Sequence, residues 1–92
     1  MEIKFVIKQS LNGTFYIGSN KICSDGFIAQ YICMDVEEYR NILMIEYNGD
    51  NQNAFGEVYF QNEYNAVKAL EWVESMSVFN KLTNKESNRV RY

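Results

Sequence analysis

Carboxylates are the chemically able groups that this chain has in number. Twelve Asp and Glu stand against nine Lys and Arg, with two Cys and no histidine. Between positions 35 and 74 the acids are Asp35, Glu37, Glu38, Glu46, Asp50, Glu57, Glu63, Glu71 and Glu74. Only Arg40 and Lys68 oppose them, for a net charge of −7 over that segment. Residues 1–34 carry +1 and residues 75–92 carry +3, the latter from Lys81, Lys85, Arg89 and Arg91 against Glu86. A total of −3 therefore hides an acidic middle and a basic end. A field of one sign steers a partner of the other sign.

Catalysis needs a positioned nucleophile, base, metal or cofactor cradle, and the sequence offers none in a usable pattern. Histidine, the commonest general acid or base, is absent. The serines stand in no nucleophile-elbow context, and Gly13, Gly18, Gly26, Gly49 and Gly56 form no phosphate-binding loop. Cys23 lies beside Ser24 and Asp25, but no histidine lowers its pKa. Paired acids can hydrolyse glycosides, yet they need a cleft that so small a domain seldom supplies. Two cysteines ten residues apart match no zinc spacing. The run Asn48-Gly49-Asp50-Asn51-Gln52-Asn53 has oxygen ligands but lacks the acid spacing and closing bidentate Glu of a calcium hand. The expectation is a non-enzymatic chain with no catalytic residue, metal or cofactor.

Two binding chemistries remain. Tyr16, Tyr31 and Tyr59 could stack bases, with Lys4, Lys8, Lys21 and the basic end on phosphates. The net charge is negative, however, and the basic-aromatic signature of an RNA-recognition sheet is missing. The alternative is a protein partner with a basic surface, for which carboxylates stand in electrostatically for phosphates. Seven Tyr and one Trp supply the residue types enriched at interface hot spots. The candidate contact residues are Glu46, Asp50, Glu57, Glu71 and Glu74, with Glu37, Glu38, Tyr47 and Tyr59 beside them.

The elements that must carry these residues follow from periodicity. Alternation over residues 2–8 sets Ile3, Phe5 and Ile7 on one face and Lys4, Val6 and Lys8 on the other, a half-buried strand. Asn12-Gly13 signals a hairpin, with Thr14 to Gly18 returning. Ser24-Asp25-Gly26 reads as a turn, and Phe27 to Met34, rich in aromatic and β-branched residues, as a third strand. Asp35 caps a helix in which Glu38 completes a capping box and Met34 and Tyr39 form a staple. Val36, Tyr39, Leu43 and Tyr47 recur at helical spacing, and Asn48-Gly49 closes the helix. The apolar run Ile42 to Ile45 suits strand or helix; helix is favoured. Glu57 to Phe60 reads as a strand. Asn62 caps a helix over roughly 63–78 whose apolar stripe is Ala66, Ala69, Leu70, Val73 and Met76, with Val67 and Trp72 at its edges. Residues 80–92 read as a polar, basic tail.

The expected order is β-β-β-α-β-α: one α+β domain over 1–79, a two-layer sandwich with a mostly antiparallel sheet and both helices on one face. Lys4, Lys8, Tyr16 and Tyr59 would line the open face. Cys33, inside an apolar run, is expected to pack as a small hydrophobe, and both thiols to be free in a reducing compartment. The N-terminus lacks the pattern of a signal peptide and no run is long enough to span a bilayer, so a cytoplasmic, non-membrane chain is expected. Frequent Asn, Ile, Tyr, Lys and Glu, with no Pro, suit an AT-rich bacterium or phage. The function expected from size and charge is a small inhibitor or adaptor of the anti-CRISPR or immunity-protein kind that occupies a basic surface of a nucleic-acid-binding target. A nucleic-acid or small-ligand module on the open sheet face is the alternative. Acids in the first helical turns (Asp35, Glu37, Glu38 and Glu63) have a structural reason to be there, since they complement the helix dipole.

Overall fold

The computed structural model describes residues 4–20, 24–51 and 55–90, with side chains to residue 78. It is a small α+β fold of three helices and two antiparallel two-stranded ribbons. In chain order the elements are β1 (Phe5–Gln9), β2 (Phe15–Ser19), α1 (Asp25–Tyr31), α2 (Val36–Tyr47), β3 (Asp50–Asn51), β4 (Val58–Tyr59) and α3 (Glu63–Val90).

The first ribbon forms where alternation and turn chemistry place it. Gly13 takes a φ of 90°, which a side chain would oppose, and Asn12 Oδ1 accepts from the Thr14 amide at 3.2 Å, tightening the loop. Register pairs Phe5 with Ser19, Ile7 with Ile17 and Lys8 with Tyr16. Phe5 and Ile17 are consequently buried on one face, while Lys8 stands exposed on the other. In the second ribbon Asp50 pairs with Tyr59 and Asn51 with Val58. A single antiparallel rung joins the ribbons: the Phe15 amide donates to the Phe60 carbonyl at 2.8 Å, and the Phe60 amide donates back at 2.7 Å.

The expected third strand, Phe27 to Met34, is overturned. Its place is held by α1, and the supposed turn at Ser24-Asp25-Gly26 is the helix start. Ser24 Oγ caps it by accepting from the Phe27 amide at 3.3 Å. Ile28, Ala29 and Ile32 point inward at helical spacing. The helix closes in a Schellman arrangement, with Cys33 N–H donating to Gln30 O and Met34 N–H to Ala29 O, at 3.0 and 2.8 Å. The left-handed position of that motif falls on Cys33, at φ 59°, and its thiol is free and exposed rather than packed. Burial as a small hydrophobe is thus also overturned for Cys33, because the residue that ends a helix this way points off its packed face. Cys23 lies outside the described residues.

α2 matches its sequence signals. The Asp35 carboxylate accepts from the amides of Glu37 and Glu38, at 3.0 and 3.4 Å, and Asn48 ends the helix in the left-handed region at φ 59°. The ambiguous run Ile42 to Ile45 is helical. Asn62 Oδ1 caps α3 by accepting from Tyr64 N–H at 2.7 Å. Ala66, Ala69 and Val73 are fully buried on that helix, with Leu70, Trp72 and Met76 packed beside them. Its backbone continues to Val90, past the end near 78 that periodicity predicts. The side chains of the expected basic tail, and residues 91–92 altogether, lie outside the described residues. α3 packs on β1 and β2, and α2 packs on α3, α1 and β4. Tyr39, Leu43, Val58 and Phe60 complete the core. No described helix is long and apolar enough to cross a membrane.

Candidate functional site

The rung between Phe15 and Phe60 sets what lies on either side of it. Antiparallel register places Tyr16 opposite Tyr59, and their rings meet at 5.2 Å with a 59° tilt. Lys8 pairs with Tyr16 and Asp50 with Tyr59, so Lys8, Tyr16, Tyr59 and Asp50 form a row across the outer face. One step beyond Tyr16 and Tyr59, the next hydrogen-bonded rung would pair Ile17 with Val58. That rung is not made. The Val58 amide instead donates to Asp25 Oδ2 at 2.9 Å, because the first turn of α1 inserts its carboxylate there. Beyond the single rung, β2 and β4 part around a cleft of about 200 Å³, lined by Tyr16, Tyr59, Ser24, Asp25 and Glu57, with Ile17 and Val58 between them.

Asp25 holds this corner together. Its side chain is 10% exposed, and Arg40 Nε, from α2, donates to the same Oδ2 at 3.3 Å. Both bonds fall on Oδ2, while Oδ1 has no hydrogen-bond partner among the described residues. Burial pushes the Asp25 carboxyl above its ordinary value, the Val58 amide and Arg40 partly offset this, and the nearby Glu57 charge adds to it. Arg40 thus pairs with Asp25 at the edge of a cleft that Glu57 also lines.

The carboxylates that the sequence singles out are dispersed over three settings. Glu37 and Glu38 are exposed in the first turn of α2, where they complement the helix dipole. Glu46, Asp50 and Glu74 are exposed, and their side chains take no hydrogen bond or ion pair among the described residues. Glu71 is exposed beside Lys68, Nζ to Oε1 at 3.6 Å, and Lys68 also lies over the Tyr64 ring at 5.4 Å. Glu57 and Tyr59 alone of the candidates meet at the cleft, with Asp50 one strand away. Tyr47 is half-buried against Trp72, ring centroids 6.1 Å apart; burial and then the Glu46 charge push its hydroxyl above the ordinary value. Trp72, itself half-buried, also stacks on Tyr39 at 5.9 Å.

Of the proposed base-stacking tyrosines, Tyr31 is engaged in packing, edge-on to Phe5 at 5.2 Å and stacked with Phe27 at 6.4 Å. Among the described residues no three His, Cys, Asp or Glu side chains converge to hold a metal ion. Sequence reasoning missed Asp25 and Arg40 as a unit. The visible signal was a Ser-Asp pair that could cap a helix, but Gly26 in the first turn disguised it. No family model, curated protein or solved structure matches the chain.

Proposed function

We propose that this chain is a non-enzymatic protein-binding module whose acidic surface occupies a basic surface of a nucleic-acid-binding target, in the manner of small phage-borne inhibitors. The observation that carries the reading is the fate of Arg40. Of the two cations within the −7 segment, Arg40 is turned inward to Asp25, its side chain only 19% exposed. Lys68 is then the sole exposed cation of residues 35–74, against exposed Asp35, Glu37, Glu38, Glu46, Asp50, Glu63, Glu71 and Glu74. The exposed groups alone therefore keep the full −7 of the segment, interrupted by one cation rather than two, and such fields accelerate encounter with a basic partner.

The alternative, nucleic acid on the outer sheet face, has Lys8, Tyr16 and Tyr59 in its favour. Asp50 ends the same row and Glu57 lies beside it, and both would repel a phosphate backbone. A titration with single-stranded RNA and DNA at low salt tests it; binding at tens of micromolar would replace the present reading.

The leading reading is tested by affinity capture from a lysate of the source cell, with a variant carrying Glu46→Lys, Asp50→Lys, Glu71→Lys and Glu74→Lys as control. These positions are exposed and outside helix caps, so the substitutions remove no core or capping contact, and circular dichroism of the variant checks that its fold is kept. The expected result is a captured partner that the variant loses and whose affinity falls steeply with salt. Affinity unchanged across the salt series, or equal capture by the variant, refutes the proposal.

A further inference from the structure

We propose that the outer face of α3 is a self-association surface, on which a second copy of this chain lays its own α3 antiparallel, with the two-fold axis near Val78. The inner side of the helix is occupied by its own domain, where Ala66, Ala69 and Val73 are fully buried. The opposite side is a stripe at heptad spacing, Tyr64, Val67, Glu71, Glu74 and Val78, and every residue in it is exposed. Tyr64 is 64% exposed, Val67 37% and Val78 57%, so three of the five leave apolar surface in water at the positions that meet in a helix pair. The helix is also longer than its own domain requires. Its 28 residues span about 42 Å, whereas the molecule measures 26 by 24 Å across its two short axes, and the last described hydrophobic side chain of α3 packed on the core is Met76.

Charge fixes the direction and the occupant. Residues 63–77 carry Glu63, Glu71 and Glu74 against Lys68, a net −2, and residues 78–90 carry Lys81, Lys85 and Arg89 against Glu86, a net +2. On the helical backbone, positions 81 and 85 continue the heptad stripe that runs from Tyr64 to Val78. A parallel pair would set Glu71 and Glu74 beside their own copies, and Lys81 and Lys85 likewise. An antiparallel pair sets the two halves against each other: Glu71 and Glu74 lie seven and four residues before Val78, and Lys81 and Lys85 three and seven after it. Because such a contact is isologous, each pairing occurs twice. The link between Lys68 Nζ and Glu71 Oε1, at 3.6 Å, competes little, since both side chains are exposed. A wholly basic partner helix would meet the Lys81 and Lys85 half with like charge, and a wholly acidic one the Glu71 and Glu74 half. A second α3, with one half of each sign, complements the whole stripe. Charged residues within the seam make the pair weaker than an apolar coiled coil while setting its orientation.

The test is analytical ultracentrifugation of the full chain across the micromolar range, at low and at high salt. The expected result is a monomer that becomes a dimer as concentration rises, more weakly in high salt. Glu71→Lys with Glu74→Lys, and separately Lys81→Glu with Lys85→Glu, should each weaken the dimer at least tenfold. An equimolar mixture of the two double variants should form a heterodimer at least as tight as the native pair, because each seam position then meets its opposite charge. Circular dichroism checks the helix in each variant, and rescue in the mixture excludes misfolding as the cause of the loss. Glu71 and Glu74 also belong to the acidic surface proposed above for a partner, whereas Lys81 and Lys85 do not. Loss of the dimer in the second variant, with partner capture intact, therefore reads the self-pairing alone. A chain that stays monomeric throughout the range, double variants that dimerise as the native chain does, or a mixture without rescue overturns the proposal.

Discussion

Replacing Asp25 tests whether the corner between α1, α2 and β4 is held as described. Asp25→Ala strips the acceptor from the amide of Val58, a residue only 3% exposed, and the counter-charge from Arg40. An orphaned buried donor costs about 1–3 kcal/mol. Breaking a fully buried ion pair costs roughly 3–5 kcal/mol, but Arg40 retains some contact with water, which moderates that figure. The expected loss is about 3 kcal/mol, a large part of the stability of a domain this small. Asp25→Asn keeps an oxygen for the Val58 amide and removes the repulsion from Glu57, so it should cost only about 1 kcal/mol. Urea unfolding followed by the fluorescence of Trp72, which stacks on Tyr39, reads both variants. The reasoning fails if Ala costs less than about 1 kcal/mol, or if Asn costs as much as Ala.

The same pair of chains yields a pH test. The folded Asp25 carboxyl is raised above its ordinary 3.8 by burial first, so the folded state holds this proton more tightly than the unfolded one. The associated stability is fully present below about pH 3.8 and is lost as pH rises through the raised folded value. The advantage of the native chain over Asp25→Asn should therefore be greatest in acid and shrink toward neutrality. A difference that stays flat, or grows with pH, contradicts the assignment.

Two further substitutions probe backbone features. A methyl at Gly49 would run into Val58 Cγ1 and lie 3.0 Å from the Leu43 carbonyl oxygen, so Gly49→Ala should cost about 1–3 kcal/mol in thermal unfolding, whereas Gly18→Ala meets only the flexible Lys8 stem, 2.8 Å from its Cδ, and should cost far less. Cys33→Gly should stabilise by about 0.5–1 kcal/mol in urea unfolding, because it relieves an exposed left-handed residue at φ 59°.

Much of the fold was legible because side-chain period and capping agree locally. Asp35 with Glu38, Asn48 and Asn62 mark helix ends with residue types that few other settings favour, and the structure uses all three positions as caps. The stripe of α3 was readable because one face is packed over several turns. α1 was hidden for two reasons. Its apolar residues are too densely spaced to separate helical from strand periodicity, and its usual markers are absent or misplaced. A glycine sits in the first turn, where it suggests a turn, and a cysteine takes the left-handed exit where a glycine would have announced a helix end. The cleft was illegible because it depends on register. Tyr16 and Tyr59 could be placed on an open face from alternation alone, but nothing local says that Asp25 reaches an amide 33 residues away.

The lone rung between Phe15 and Phe60 bears on the order in which the chain assembles. The β1–β2 hairpin and the α1–α2 pair close short loops, whereas the rung and the Asp25–Val58 bond close much longer ones. Long loops carry the larger closure entropy and are formed later. The second ribbon, two residues per strand and tied to the first by one rung, is thus expected to dock after the hairpin and to open before it. Amide exchange at Val58 and Phe60 should run through a sub-global opening, faster than at the buried positions of β2. Whatever fills the space beside that rung stabilises the most weakly closed part of the molecule, so occupancy would be written into the exchange rates of two amides.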